Sequence, residues 1–144
     1  MLRFDWDDSL ALGITALDDQ HRTWIERLNN LSEAIESNQE DQHISKTLKF
    51  LVGYSEFHFA AEEKLMAAHN YPLLEQHKQE HKKYRDALAD LLLLQIGQAD
   101  ALRKISDSVK NFQIAWLTNH IRKVDRKFAD FLDENVAVDM PDSL

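Results

Sequence analysis

The chain has no cysteine. Disulfides, thiolate nucleophiles, zinc fingers and iron–sulfur ligation are therefore excluded. Glycine and proline are scarce, at three and two residues. The many tight turns of an all-β protein lack their usual residues, so long helices joined by few connections are the economical reading. No run of about 18 apolar residues occurs, and no segment is expected to span a membrane. Residues 1–10 lack a signal-peptide pattern, because Arg3 is followed by acids rather than by an apolar run. The expected location is the cytosol. A basic patch is missing as well. The formal charge is −8, which argues against nucleic acid and anionic membrane as partners.

What remains is 144 residues with 44% hydrophobic content, enough for one domain with a real core. Apolar residues recur at helical spacing in four stretches. The expected organisation is an all-α, up-down-up-down antiparallel four-helix bundle. It consists of an extended N-terminal arm over 1–17, helices over about 18–38, 41–69, 72–96 and 100–134, and an irregular tail over 135–144. Asp18 and Asp19 are good residues to open the first helix. Pro72 suits a first helical turn and Gly97 a stop.

The stretch from His58 to His81 carries the chemistry. His58 and Glu62 are spaced i,i+4, as are His77 and His81, and a turn at Asn70, Tyr71 and Pro72 separates the pairs. That spacing stacks two side chains on one helix face, so a helix hairpin presents three imidazoles and a carboxylate to one spot. His21 lies early in the first helix; His120 and Asp125 lie late in the last. In alternating helices all seven fall at the same end of the bundle, with offsets of roughly 10–15 Å that stagger and tilt absorb. Unpaired buried ions cost several kcal/mol each, and metal coordination removes that cost. Five imidazoles and two carboxylates exceed the needs of one ion. They suit two ions bridged by the carboxylates, with one position left open where O2 would bind. Imidazole with carboxylate and no thiolate points to iron, manganese, zinc or copper. His120 and Asp125 are i,i+5, about 140° apart on an ideal helix. Either they flank the inward direction of a broad site, or the helix carries a π-bulge there.

The segments FDWDDSL, LDDQH, HFAAEEKLM, YPLLEQHKQEH and WLTNHIRKVD, spread over nearly the whole chain, resemble the hemerythrin family, in its single-domain bacterial form. The resemblance implies a non-haem di-iron centre that binds O2 reversibly. His77, His81 and His120 would hold one iron, and His21 and His58 the other, which keeps the open site. Glu62 and Asp125 would bridge the two, with an oxo or hydroxo group as third bridge. Phe59, Trp116 and Leu117 match positions that line the apolar O2 pocket in relatives. The implied role is oxygen carriage or storage, sensing, or delivery to a partner oxidase. The alternative is a di-iron enzyme that reduces peroxide or oxidises nitric oxide.

Other residues take plainer readings. His43 and His69 lie outside the motif and are read as ordinary surface or hydrogen-bonded histidines. Asp18 is expected to cap its helix or to hold His21, and Glu63 to be solvated. His77 to His81 also spells the inverted zinc-protease motif H-x-x-E-H, with Glu80 as base. That reading uses two of the five candidate histidines and leaves Glu62 and Asp125 without a role. A ferritin-like di-iron oxidase needs a Glu-x-x-His pair on each of two helices, and none of the seven candidates forms one.

Overall fold

A computed structural model describes residues 3–94 and 97–135, and every regular element among them is helical. Helix α1 spans Thr15–Glu36, α2 Asp41–Ala68 and α3 Leu74–Leu92. A fourth helical run follows. It is made of α4 (Ala101–Ser108), α5 (Ile114–Asn119) and α6 (Arg126–Asn135), joined by π-helical turns at Val109–Gln113 and His120–Asp125. A single 3-10 turn, Asp8–Leu10, precedes α1. Helix α1 packs on α2, α2 on α3, and α4 touches α1.

The first two connections are built alike. Each helix ends with an asparagine in the left-handed region, Asn38 at φ 54° and Asn70 at φ 54°. Asn38 N–H bonds to Ile35 O and Gln39 N–H to Ala34 O; Asn70 N–H bonds to Ala67 O and Tyr71 N–H to Met66 O. This is the Schellman arrangement, which satisfies carbonyls that the last turn would orphan. Pro72 then lies between the second of these turns and α3. Helix α3 stops before Gly97, closing with short Leu93-to-Asp90 and Leu94-to-Leu91 bonds. Gly97 is not in the left-handed region; among the described glycines only Gly13 is, at φ 83°. Residues 95–96, the end of the expected third helix, and 136–144, most of the expected tail, lie outside the described residues.

Helix α1 opens at Thr15, ahead of the expected Asp18, and no side chain caps it. Asp18 has other work: its carboxylate accepts from the backbone N–H groups of Leu12, at 2.9 Å, and Gly13, at 3.1 Å. It binds the incoming chain to α1 rather than capping the helix or holding His21. Leu10, Leu12 and Ile14 enter the core from this segment. Asn29 exchanges two hydrogen bonds with the backbone of Phe4, at 3.0 and 2.8 Å. Arg22 lies 4.4 Å over the Trp6 ring. From the fourth run, Arg122 reaches Ser9 and Asp7, and Arg126 donates to Ala11 O.

Candidate metal centre

The inward stripe of α2 reads Ile44, Leu48, Leu51, Ser55, His58, Glu62, Leu65, and every member is buried. Helix periodicity alone would fill those positions with apolar side chains. Here the later ones carry an imidazole and a carboxylate, both wholly buried. His77 and His81 occupy the same kind of face in α3, and His21 in α1. For His120 and Asp125 the helix itself changes. Arg126 N–H bonds to Ile121 O, five residues back, so the turn between the two candidates is π-helical. The wider turn brings a residue five positions on back under the first. This settles the choice that the i,i+5 spacing leaves open.

All seven candidates converge and are buried. One group joins Glu62, His77, His81 and His120; the other joins His21, His58, Glu62 and Asp125. The carboxylates tie the groups together. Glu62 Oε1 lies 2.5 Å from His77 Nε2, 3.1 Å from His81 Nε2 and 3.7 Å from His120 Nε2. Its Oε2 lies 3.1 Å from His58 Nε2 and 3.8 Å from His21 Nε2. Asp125 Oδ1 lies 3.0 Å from both His77 and His120, while Oδ2 lies 3.1 Å from His21. Each carboxylate thus directs one oxygen to each set of imidazoles.

Two imidazoles are oriented from behind. His58 Nδ1 donates to Gln20 Oε1 at 2.7 Å, and His81 Nδ1 donates to Glu63 Oε2 at 2.6 Å. Both bonds leave the Nε2 lone pair aimed inward. Glu63 is therefore not a solvated residue; it faces α3, next to His81. Gln20 carries no signal in sequence, since its partner lies 38 residues away. Phe59 stacks on His81 at 4.0 Å between ring centres, and Trp116 on His120 at 4.5 Å. Phe59 and Leu117 are fully buried and Trp116 partly so. The tryptophan beside His58 is Trp24, at 5.4 Å, which periodicity places only in a core stripe. His43 is exposed, and His69 donates to Leu65 O at 3.0 Å. Glu80 lies away from the cluster, paired with Lys83 at 3.0 Å.

Burial disfavours charge on His58, Glu62, His77, His120 and Asp125, yet the neighbours win at four of the five. Burial opposes ionisation of Glu62, but His58 and the other imidazoles hold its carboxyl well below the usual range. Asp125 is also lowered, since His120 outweighs burial and the Glu62 charge. Burial works against protonated His77 and His120, but the two carboxylates raise them to about 9 and about 10. Burial dominates at His58 and lowers it.

Pairing does not satisfy the cluster. Among the described residues, His120 Nε2, Glu62 Oε2 and both Asp125 oxygens have no hydrogen-bond partner, although His120 Nε2 and Asp125 Oδ1 are 3.0 Å apart. The contacts are close without the alignment a hydrogen bond needs. Lone pairs converging on a shared space suit a cation, which would supply the missing partner. The donor set of imidazole and carboxylate fits non-haem iron.

Comparison with known proteins bears on the same region. The family model described as "Hemerythrin HHE cation binding domain" matches residues 12–132. A bacteriohemerythrin of Stenotrophomonas maltophilia (strain R551-3) is 36% identical over 126 residues, covering 87% of this chain and 78% of that protein. One from Pseudomonas aeruginosa (strain UCBPP-PA14) is 31% identical over 131 residues, covering 90% and 82%. A hemerythrin-like protein of Naegleria gruberi is 32% identical over 130 residues, covering 90% and 93%.

Proposed function

The chain belongs to the hemerythrin family, and from that premise we propose that its buried cluster holds two non-haem iron ions and binds O2 reversibly, as an oxygen carrier, store or supplier rather than as an enzyme. The observation that carries this reading is the division of the carboxylates. Glu62 and Asp125 each turn one oxygen to the His77, His81, His120 side and the other toward His21 and His58. A single ion gives no reason for two carboxylates to be split in this way; a bridged pair does. On this reading three imidazoles serve one iron, and His21 and His58 serve the other, which has fewer protein ligands.

We also place the four helices up-down-up-down, with residues 3–14 as an arm across them. Support comes from where the ligands sit in sequence: early in α1, late in α2, early in α3 and late in the fourth run. They can share one level only if successive helices reverse. The bonds from Asn29, Arg122 and Arg126 to residues 4–11 support the arm.

When bound, the iron pair supplies an open coordination position and the electrons that reversible O2 binding needs. The chain does the rest. Gln20 and Glu63 fix the rings of His58 and His81 so that Nε2 points inward. Phe59, Trp116 and Leu117 form the apolar wall of the O2 pocket and exclude water, which protects the centre from proton entry and autoxidation. Iron analysis with absorption spectra, recorded deoxygenated and then under O2, tests the reading. Two irons per chain and a visible band that appears under O2 and fades under argon are expected. One metal per chain, or zinc, ends it. Catalytic consumption of peroxide or nitric oxide would move the protein into the enzyme class.

A further inference from the structure

We propose that Glu63 is a positioning residue for one metal position, anchored from the surface by Arg85, so that the three-histidine position is backed by an anion and the two-histidine position by a neutral amide. The inference rests on the two-iron reading above.

Glu63 follows Glu62 in α2, and one helical step of about 100° turns it from the interior toward α3. There it accepts from His81 Nδ1 at 2.6 Å. One turn further along α3, Arg85 returns over the same carboxylate. Its Nη2 lies 3.7 Å from Glu63 Oε2, and its Nε donates to Glu56 Oε1 at 2.6 Å. Side-chain exposure climbs along this series, from 0% at His81 through 18% at Glu63 and 33% at Arg85 to 51% at Glu56. A contact that starts on a wholly buried imidazole therefore ends in water. The Arg85 guanidinium also lies 4.9 Å from the centre of the Phe59 ring, and Phe59 stacks on His81. The His81 ring is held at its edge and on its face by the same group of side chains.

A carboxylate behind a ligand imidazole fixes the tautomer, fixes the ring rotation and raises the basicity of the inward nitrogen. Gln20 does the first two for His58 without charge. Among the described residues, Nδ1 of His21, His77 and His120 has no hydrogen-bond partner. Among the five imidazoles, then, His81 alone has an anion behind Nδ1. The two metal positions differ in electron donation for a reason that lies outside the seven ligands. The three-histidine position binds its ion more tightly, and its iron holds the higher oxidation state more readily.

The test uses metal-free protein titrated with Zn2+ against a competing chelator, together with nitrogen-edited NMR of the Zn2+-loaded form. Wild type takes up two ions with unequal affinity. Glu63→Leu weakens one of them by about 10–100-fold, spares the other, and removes the hydrogen-bonded Nδ1 proton of His81. Glu63→Gln keeps that proton and recovers part of the affinity, while the iron-loaded form shows one raised midpoint potential. Arg85→Met makes the His81 proton exchange faster with water. Unchanged affinities in a folded Glu63→Leu protein overturn the proposal. Should that variant not fold, an unchanged potential in Glu63→Gln does so. Uptake of fewer than two ions by wild type brings down the two-iron reading and this inference with it. Two ions bound, with the variants indifferent, sinks the Glu63 role alone.

Discussion

In α2 the inward face begins with Ile44, Leu48 and Leu51 and ends with His58 and Glu62; in α3 it begins with His77 and His81 and ends with Leu88 and Leu91. All nine are buried to a similar degree. The apolar stretches are complete as they stand: each side chain removed from water stabilises the fold by about 1.5–3 kcal/mol. The polar stretches contain atoms without a partner among the described residues, Glu62 Oε2 and His77 Nδ1. One half of the interior contributes to stability by itself. The other leaves buried polar atoms unpartnered, an arrangement that a bound cation would complete.

The two kinds of interior differ most at Glu62. Glu62→Ala removes the oxygen donors common to both ligand groups, and metal analysis should fall from two ions per chain to one or none. If two ions remain, the carboxylate does not join the two positions. Next in size is Leu51→Ala, in the dry half. It should lower unfolding free energy by about 2–5 kcal/mol, equally with and without metal. Chelation of wild type should destabilise it by up to about 4 kcal/mol relative to protein held at a thousandfold excess of metal over Kd. Denaturant titrations of the loaded and stripped forms separate the two effects.

The stripped and loaded forms should also differ in their response to pH. In metal-free protein His77 and His120 are raised to about 9 and about 10. Their stabilising contribution is complete below the ordinary value of 6.5 and is lost as pH rises through 9 to 10. The lowered carboxyls of Glu62 and Asp125 contribute above their ordinary 4.5 and 3.8 and fail as pH falls through their lower folded values. His58, lowered by burial, favours the folded state above 6.5 and loses that contribution on acidification. Melting temperatures of the stripped protein should therefore decline between pH 6.5 and 10. The loaded protein should lack this alkaline decline and release protons on metal uptake, because ligation needs neutral imidazole. Parallel curves for the two forms would show that these imidazoles are not ligands.

Leu117→Ala, by opening the apolar wall, should hasten autoxidation of the iron-loaded protein, followed as decay of the O2-dependent band; an unchanged rate removes Leu117 from the pocket. Asn38→Ala and Asn70→Ala should each cost about 1–2 kcal/mol, since both residues sit in the left-handed region. Glycine at either place should be nearly neutral.

Much of the site is readable from spacing. His58 with Glu62 and His77 with His81 are i,i+4 pairs, and helical geometry alone puts each pair on one face. Two residues that orient the imidazoles are less visible. Gln20 precedes His21 and Glu63 follows Glu62, so each reads as the outward neighbour of an inward residue. Each in fact turns to a second helix, and no local rule names a partner 38 or 18 residues away. Asp18 is less legible. Its side chain suits a helix cap, but the backbone of Leu12 and Gly13 claims it first.

From residue types and their periods alone came the helical class, the seven buried donors and the exclusion of thiolate chemistry, because these depend on local geometry and on which atoms exist. Tertiary structure decided what needs two segments at once. It set the π-helical turn that aligns His120 with Asp125, the sharing of carboxylate oxygens between two sets of imidazoles, and the side chains behind His58 and His81. Those features follow from how helices approach one another, and that approach is a property of the packed core rather than of any single stretch of chain.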